Sequence, residues 1–140
     1  MKISLIGSLV LVFGIGSYAF GEKGITGKPD DKKFEELLVG KWKSDYKIGR
    51  VRMIAIGQYK KDKSYQVQGK LTVLSEIQAF NAEGTWRIKG GMVIMKVLKS
   101  SKPEMLPVGL VTKDKIIVLN NSFYTYKDNE GTQFTDKRMN

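Results

Sequence analysis

Residues 64–74 read SYQVQGKLTVL. Tyr65, Val67, Gly69, Leu71 and Val73 fall on one side of a two-residue repeat, and Ser64, Gln66, Gln68, Lys70 and Thr72 fall on the other. Side chains of a β-strand alternate between faces, so this stretch has one apolar face and one wet face. The same period extends in both directions, interrupted by polar or glycine-rich turns every 8–15 residues. Lys61-Asp62-Lys63 precedes the stretch. Asn81-Ala82-Glu83-Gly84, Gly90-Gly91, Lys113-Asp114, Asn120-Asn121 and the segment 128–131 follow it. Strands are expected over 41–46, 50–60, 64–74, 77–80, 85–89, 92–98, 106–112, 115–119, 122–127 and 132–139, with Gly90-Gly91 as a two-residue hairpin turn.

Upstream of the first strand the period changes. Pro29-Asp30-Asp31 starts a helix with acidic residues suited to its positive end, and Gly40 stops it. Phe34, Leu37 and Leu38 recur at helical spacing through 32–39. No second helix is long enough for a parallel crossover. The fold class is therefore all-β: an antiparallel meander of about eight to ten strands after one short N-terminal helix, closing into a barrel. A half-open sandwich would share the same strand pattern. Closure removes the exposed edges that endanger a small sheet protein.

The chain has 140 residues, with 24 Lys+Arg against 14 Asp+Glu and a formal charge of +10. Residues 1–21, MKISLIGSLVLVFGIGSYAFG, carry one early cation, an uncharged apolar run over 3–16 and small-x-small steps at 17–19 and 19–21. That layout predicts a secretory signal peptide followed by a single domain over 22–140. The expected location is the periplasm or the exterior. No stable membrane insertion is expected once the leader is removed. There is no Cys and no His. Disulfides, thiolate or imidazole metal sites, haem ligation and Ser-His-Asp catalysis are all excluded. The paired acids Asp30-Asp31 and Glu35-Glu36 lie at a helix start or on its face. Asp128 and Glu130 belong to a turn. No catalytic residue, metal site or cofactor is assigned, and the protein is expected not to be an enzyme.

Two features remain as candidate sites. Lys60, Lys61 and Lys63 crowd one turn. They form either a solvated surface or a positive patch for an anionic envelope component or an acidic protein partner. Pro103, Met105, Leu106 and Pro107 sit in the least regular segment, with two apolar residues between prolines. They form either a mouth loop over the barrel or a plain cap on its end. Nucleic acid is not expected as a partner, since no recognised binding motif is present.

At Leu37-Leu38-Val39-Gly40-Lys41-Trp42 a short helix runs into a Gly-x-Trp at the start of the first strand. Near the other end, Phe123-Tyr124-Thr125-Tyr126 precedes the Asp-x-x-Gly turn of Asp128 and Gly131, and the final strand carries Arg138. This frame resembles the lipocalin-like (calycin) barrels, including small secreted bacterial proteins with no assigned activity. The resemblance implies that Trp42 closes the barrel floor and Arg138 packs over it. It also implies a non-catalytic binding protein that holds a small hydrophobic or amphipathic ligand. The competing reading is an envelope interaction module, an inhibitor or assembly accessory, that uses the basic surface.

Overall fold

A computed structural model describes residues Asp30–Asn140. The expected leader, 1–21, and the chain as far as residue 29 lie outside the described residues. One helix, α1 (Asp31–Leu38), leads into eight strands: β1 (Gly40–Ile48), β2 (Val51–Tyr59), β3 (Ser64–Val73), β4 (Glu76–Lys89), β5 (Met92–Ser100), β6 (Val111–Leu119), β7 (Phe123–Lys127) and β8 (Gln133–Met139). Each strand pairs antiparallel with the next, and β8 pairs back onto β1. The meander is thus a closed barrel, in which every strand has a neighbour on both sides.

The helix begins at Asp30, whose carboxylate accepts from the Lys33 amide at 3.2 Å. One helical stripe, Phe34, Leu37 and Leu38, packs on the core, with Leu38 fully buried. In the strands the two-residue alternation sends Trp42, Tyr59, Tyr65, Leu71, Trp86, Val93, Met95, Tyr124, Tyr126 and Phe134 inward, where they form one contiguous core. Aromatic rings interlock across it: Tyr59 meets Trp86 edge-on at 5.6 Å, and Trp42 meets Tyr124 at 6.0 Å.

Two expected breaks are absent. Asn81-Ala82-Glu83-Gly84, a turn by its composition, lies inside the 14-residue β4. Ala82 and Gly84 point inward, and a register shift between Glu83 and Gly84 bends the strand there. Gly84 is needed for close approach: a Cβ would run into the Lys96 carbonyl of β5. Lys113-Asp114, also expected as a turn, lies in the middle of β6, and Asp114 is buried. Conversely, 106–110 is loop rather than the start of a strand. The described residues therefore form eight strands.

Candidate functional site

The antiparallel meander has two ends. Helix α1 and the β2–β3, β4–β5 and β6–β7 turns mark one of them. The β1–β2, β3–β4 and β7–β8 turns and the long segment 101–110 mark the other.

The helix end is sealed by side chains that tie α1 to the barrel. Trp42 donates its indole N–H to the Leu38 carbonyl at 2.8 Å. The Arg138 guanidinium lies 4.4 Å from the Trp42 ring centroid and donates to the carbonyls of Val39 and Leu37. This is the contact the family resemblance implies. Trp86 repeats the device: its N–H donates to the Lys60 carbonyl, and Lys63 Nζ sits 4.4 Å over its ring. Lys63 also pairs with Glu35 of the helix at 2.7 Å. The Asp31 carboxylate accepts from the Gly90 and Gly91 amides of the β4–β5 turn, each at 2.8 Å. A small molecule has no simple entry here.

The other end is covered by 101–110. Met105 and Leu106 turn inward and join the core, Leu106 with no exposure at all. Pro103 is exposed and Pro107 half-buried. A short turn holds the plug, with the Met105 and Leu106 amides both donating to the Lys102 carbonyl. The two candidate groups are thus not brought together. Lys60, Lys61 and Lys63 lie at the helix end, and the proline loop lies at the opposite end. Within the first group Lys61 is exposed, Lys60 is half-buried, and Lys63 is committed to Trp86 and Glu35.

The chemistry inside the barrel comes from strand residues not singled out as a site, and from Asp114, which falls in a segment expected as a turn. Ser44, Tyr46, Asp136, Tyr124, Tyr126, Thr112 and Asp114 all take inward positions on β1, β8, β7 and β6. Asp136 accepts from Ser44 at 2.8 Å and from the Tyr46 hydroxyl, bridging the β8–β1 seam. Burial pushes its carboxyl up to about 6, against the opposing pull of those hydrogen bonds. Asp114 is 1% exposed. Burial, with Asp128 and Asp136 adding negative charge, raises its pKa well above the usual carboxylate range. Its surroundings thus favour the protonated form, which can donate as well as accept. Asp114 Oδ1, Thr112 Oγ1 and the Tyr124 hydroxyl have no hydrogen-bond partner, although all three atoms are buried. One signal in the sequence could have located this cluster: Thr112, Asp114 and Ile116 keep phase with each other, as do Phe134, Asp136 and Arg138.

Among the described residues no group of three acidic or other ligating side chains could hold a metal, and no helix is long and apolar enough to cross a membrane. Fold and site define a class: an eight-stranded antiparallel meander barrel, helix-sealed at one end and loop-plugged at the other, with an aspartate–tyrosine cluster inside. No protein-family model matches the chain, and no curated protein sequence matches it either.

Proposed function

We propose that the protein is a non-catalytic binding barrel for a small amphipathic molecule, with kinship to the lipocalin-like barrels. The observation that carries this reading is the set of unpartnered polar atoms on Thr112, Asp114 and Tyr124. A buried polar group without a partner costs about 1–3 kcal/mol. A ligand with one polar end recovers that cost, and its apolar body is admitted by repacking of the interlocked interior rings. Entry falls to the Met105–Leu106 end, because the helix end is tied at Asp31, Glu35, Leu37, Leu38 and Val39. On this reading segment 101–110 is a lid, and Pro103 and Pro107 stiffen it. Export to the periplasm or beyond belongs to the same proposal and is supported by the sequence of residues 1–21.

The interaction-module alternative has less support, since Lys63 already has two partners within the fold. The test is native mass spectrometry of protein purified gently from its own host compartment. A reproducible small-molecule adduct, weakened in Thr112→Val and Asp114→Asn, is the expected result. A bare mass, together with no shift in unfolding midpoint on adding a lipid-soluble extract of that compartment, would overturn the proposal.

A further inference from the structure

The β3–β4 hairpin stands beyond the barrel wall. Glu76, Ile77, Gln78 and Ala79 are all exposed, and alternating burial begins only at Phe80. Its tip, Leu74-Ser75, turns through left-handed backbone, with φ of 49° and 70°. Leu74 and Ile77 are 65% and 67% exposed. Two large aliphatic side chains on a projecting tip have nothing in the fold to bury them.

Behind the tip, a groove of ≈ 780 Å³ runs over the outer face of β2, β3 and β4. The strand register sets out its floor in rows. Arg52 lies opposite Thr72, which lies opposite Ile77; Ile54 lies opposite Lys70, which lies opposite Ala79. Lys102 borders the groove from the neighbouring segment. Arg52, Lys70 and Lys102 are its ionisable lining residues, and no carboxylate is among them. Arg52 pairs with Asp45 at 3.2 Å, but both are exposed, so that pair exchanges at little cost.

We propose that this hairpin and groove dock the protein peripherally on an anionic lipid surface. Leu74 and Ile77 enter the acyl boundary, and Arg52, Lys70 and Lys102 meet headgroup phosphates. Three observations favour lipid over an acidic protein. The apolar residues sit at a narrow projecting tip rather than on a broad face. The exposed patch is aliphatic, without the aromatic side chains enriched in protein interfaces. The cations are set back in the right direction: Lys70 is four residues behind Leu74, about 13 Å along a strand, and a lysine side chain reaches forward to the headgroup layer. This surface lies at the end opposite Lys60 and Lys61, and its role does not depend on the interior site.

The absence of cysteine allows a local test in the full chain. Ser75→Cys and Asn121→Cys each give a unique site for an environment-sensitive fluorophore, at the hairpin tip and at the opposite end. With vesicles of phosphatidylcholine plus phosphatidylglycerol, the label at 75 should shift to the blue; with phosphatidylcholine alone it should not. The label at 121 should not respond to either. Adding Lys70→Glu and Lys102→Glu should weaken binding by about tenfold or more, at roughly fivefold per cation. Lys60→Glu with Lys61→Glu should leave it unchanged. No shift at 75, or equal shifts at 75 and 121, would overturn the proposal. So would equal loss from the Lys60/Lys61 pair, which would reduce the effect to net charge. A tip indifferent to anionic vesicles but cross-linked to an acidic protein would assign the groove to that partner and also overturn it.

Discussion

Arg138 passes over Gly40 to reach the face of Trp42. Its guanidinium carbon is 4.4 Å from the ring centroid, and a Cβ on Gly40 would come within 2.5 Å of Nη1. Gly40 has φ +139°, a conformation that side-chain-bearing residues rarely adopt. The glycine of Gly-x-Trp therefore has a physical role: it clears the path by which the last strand's cation covers the first strand's indole and caps the carbonyls of Leu37 and Val39.

Removing that cation should loosen the helix end. Arg138→Ala forfeits a cation–π contact and two charge-assisted hydrogen bonds, for an expected loss of about 2–4 kcal/mol. Arg138→Lys keeps the charge but not the fork, so it should lose less. Gly40→Ala should fall in the same range as Arg138→Ala. Urea unfolding followed by tryptophan fluorescence measures all three. A cost below about 0.5 kcal/mol for Arg138→Ala would mean the contact is incidental.

Lysines close together in sequence should differ sharply in effect. Lys63 lies over Trp86 and pairs with Glu35, whereas Lys61 is exposed. Lys63→Glu places a negative charge beside Glu35 and should cost about 1–2 kcal/mol, while Lys61→Glu should stay within about 0.5 kcal/mol. A double-mutant cycle of Lys63→Ala with Glu35→Gln isolates the pair. Additive losses would show that Lys63 acts through Trp86 alone.

The architecture was legible because burial and period agree. From Ser64 to Val73 every inward residue is apolar or glycine, and a meander with no second helix leaves few topologies. The interior polar cluster was hidden by the same logic. Lys113-Asp114 carries two turn-prone charges, and nothing local distinguishes a turn aspartate from one facing the inside of a barrel. Only closure of β8 on β1 brings Asp136 to Ser44 and Tyr46, residues 92 and 90 positions away. Asn81-Ala82-Glu83-Gly84 misled for a related reason. Its glycine answers to a neighbouring strand that is remote from the local sequence pattern.

That strand gives a direct test of Gly84. A methyl group there meets the Lys96 backbone carbonyl, which is fixed in the β4–β5 ladder and cannot rotate away. Gly84→Ala should cost about 2–4 kcal/mol through forced strand separation. Gly49→Ala is the control: φ is +59° but a Cβ meets nothing within 4 Å, so only about 1 kcal/mol of backbone strain is expected. Equal costs at the two sites, measured by denaturant unfolding, would remove the close-approach explanation.

The interior carboxyls set a pH dependence opposite in sign to that of ion-paired acids. Asp136 titrates at about 6 in the fold, against about 4 in an unfolded chain. Between those values the folded state holds the proton more tightly than the unfolded one. The stabilisation is therefore complete below about pH 4 and is lost as pH rises to about 6, for a total of roughly 3 kcal/mol. Asp114 and Asp128, both raised mainly by burial, act in the same direction. Asp45 and Asp62 have lowered pKa values and act in the opposite direction, but they are exposed and screened. With no histidine in the chain, a slope in this window belongs to carboxyls. Unfolding free energy should thus be higher at pH 4.5 than at pH 7.5. Asp136→Asn, whose amide oxygen can still accept from Ser44 and Tyr46, should flatten the profile and raise stability at pH 7.5. An unchanged slope in that variant would shift the effect to Asp114, and a wild-type profile rising with pH would mean Asp136 stays ionised within its hydrogen bonds.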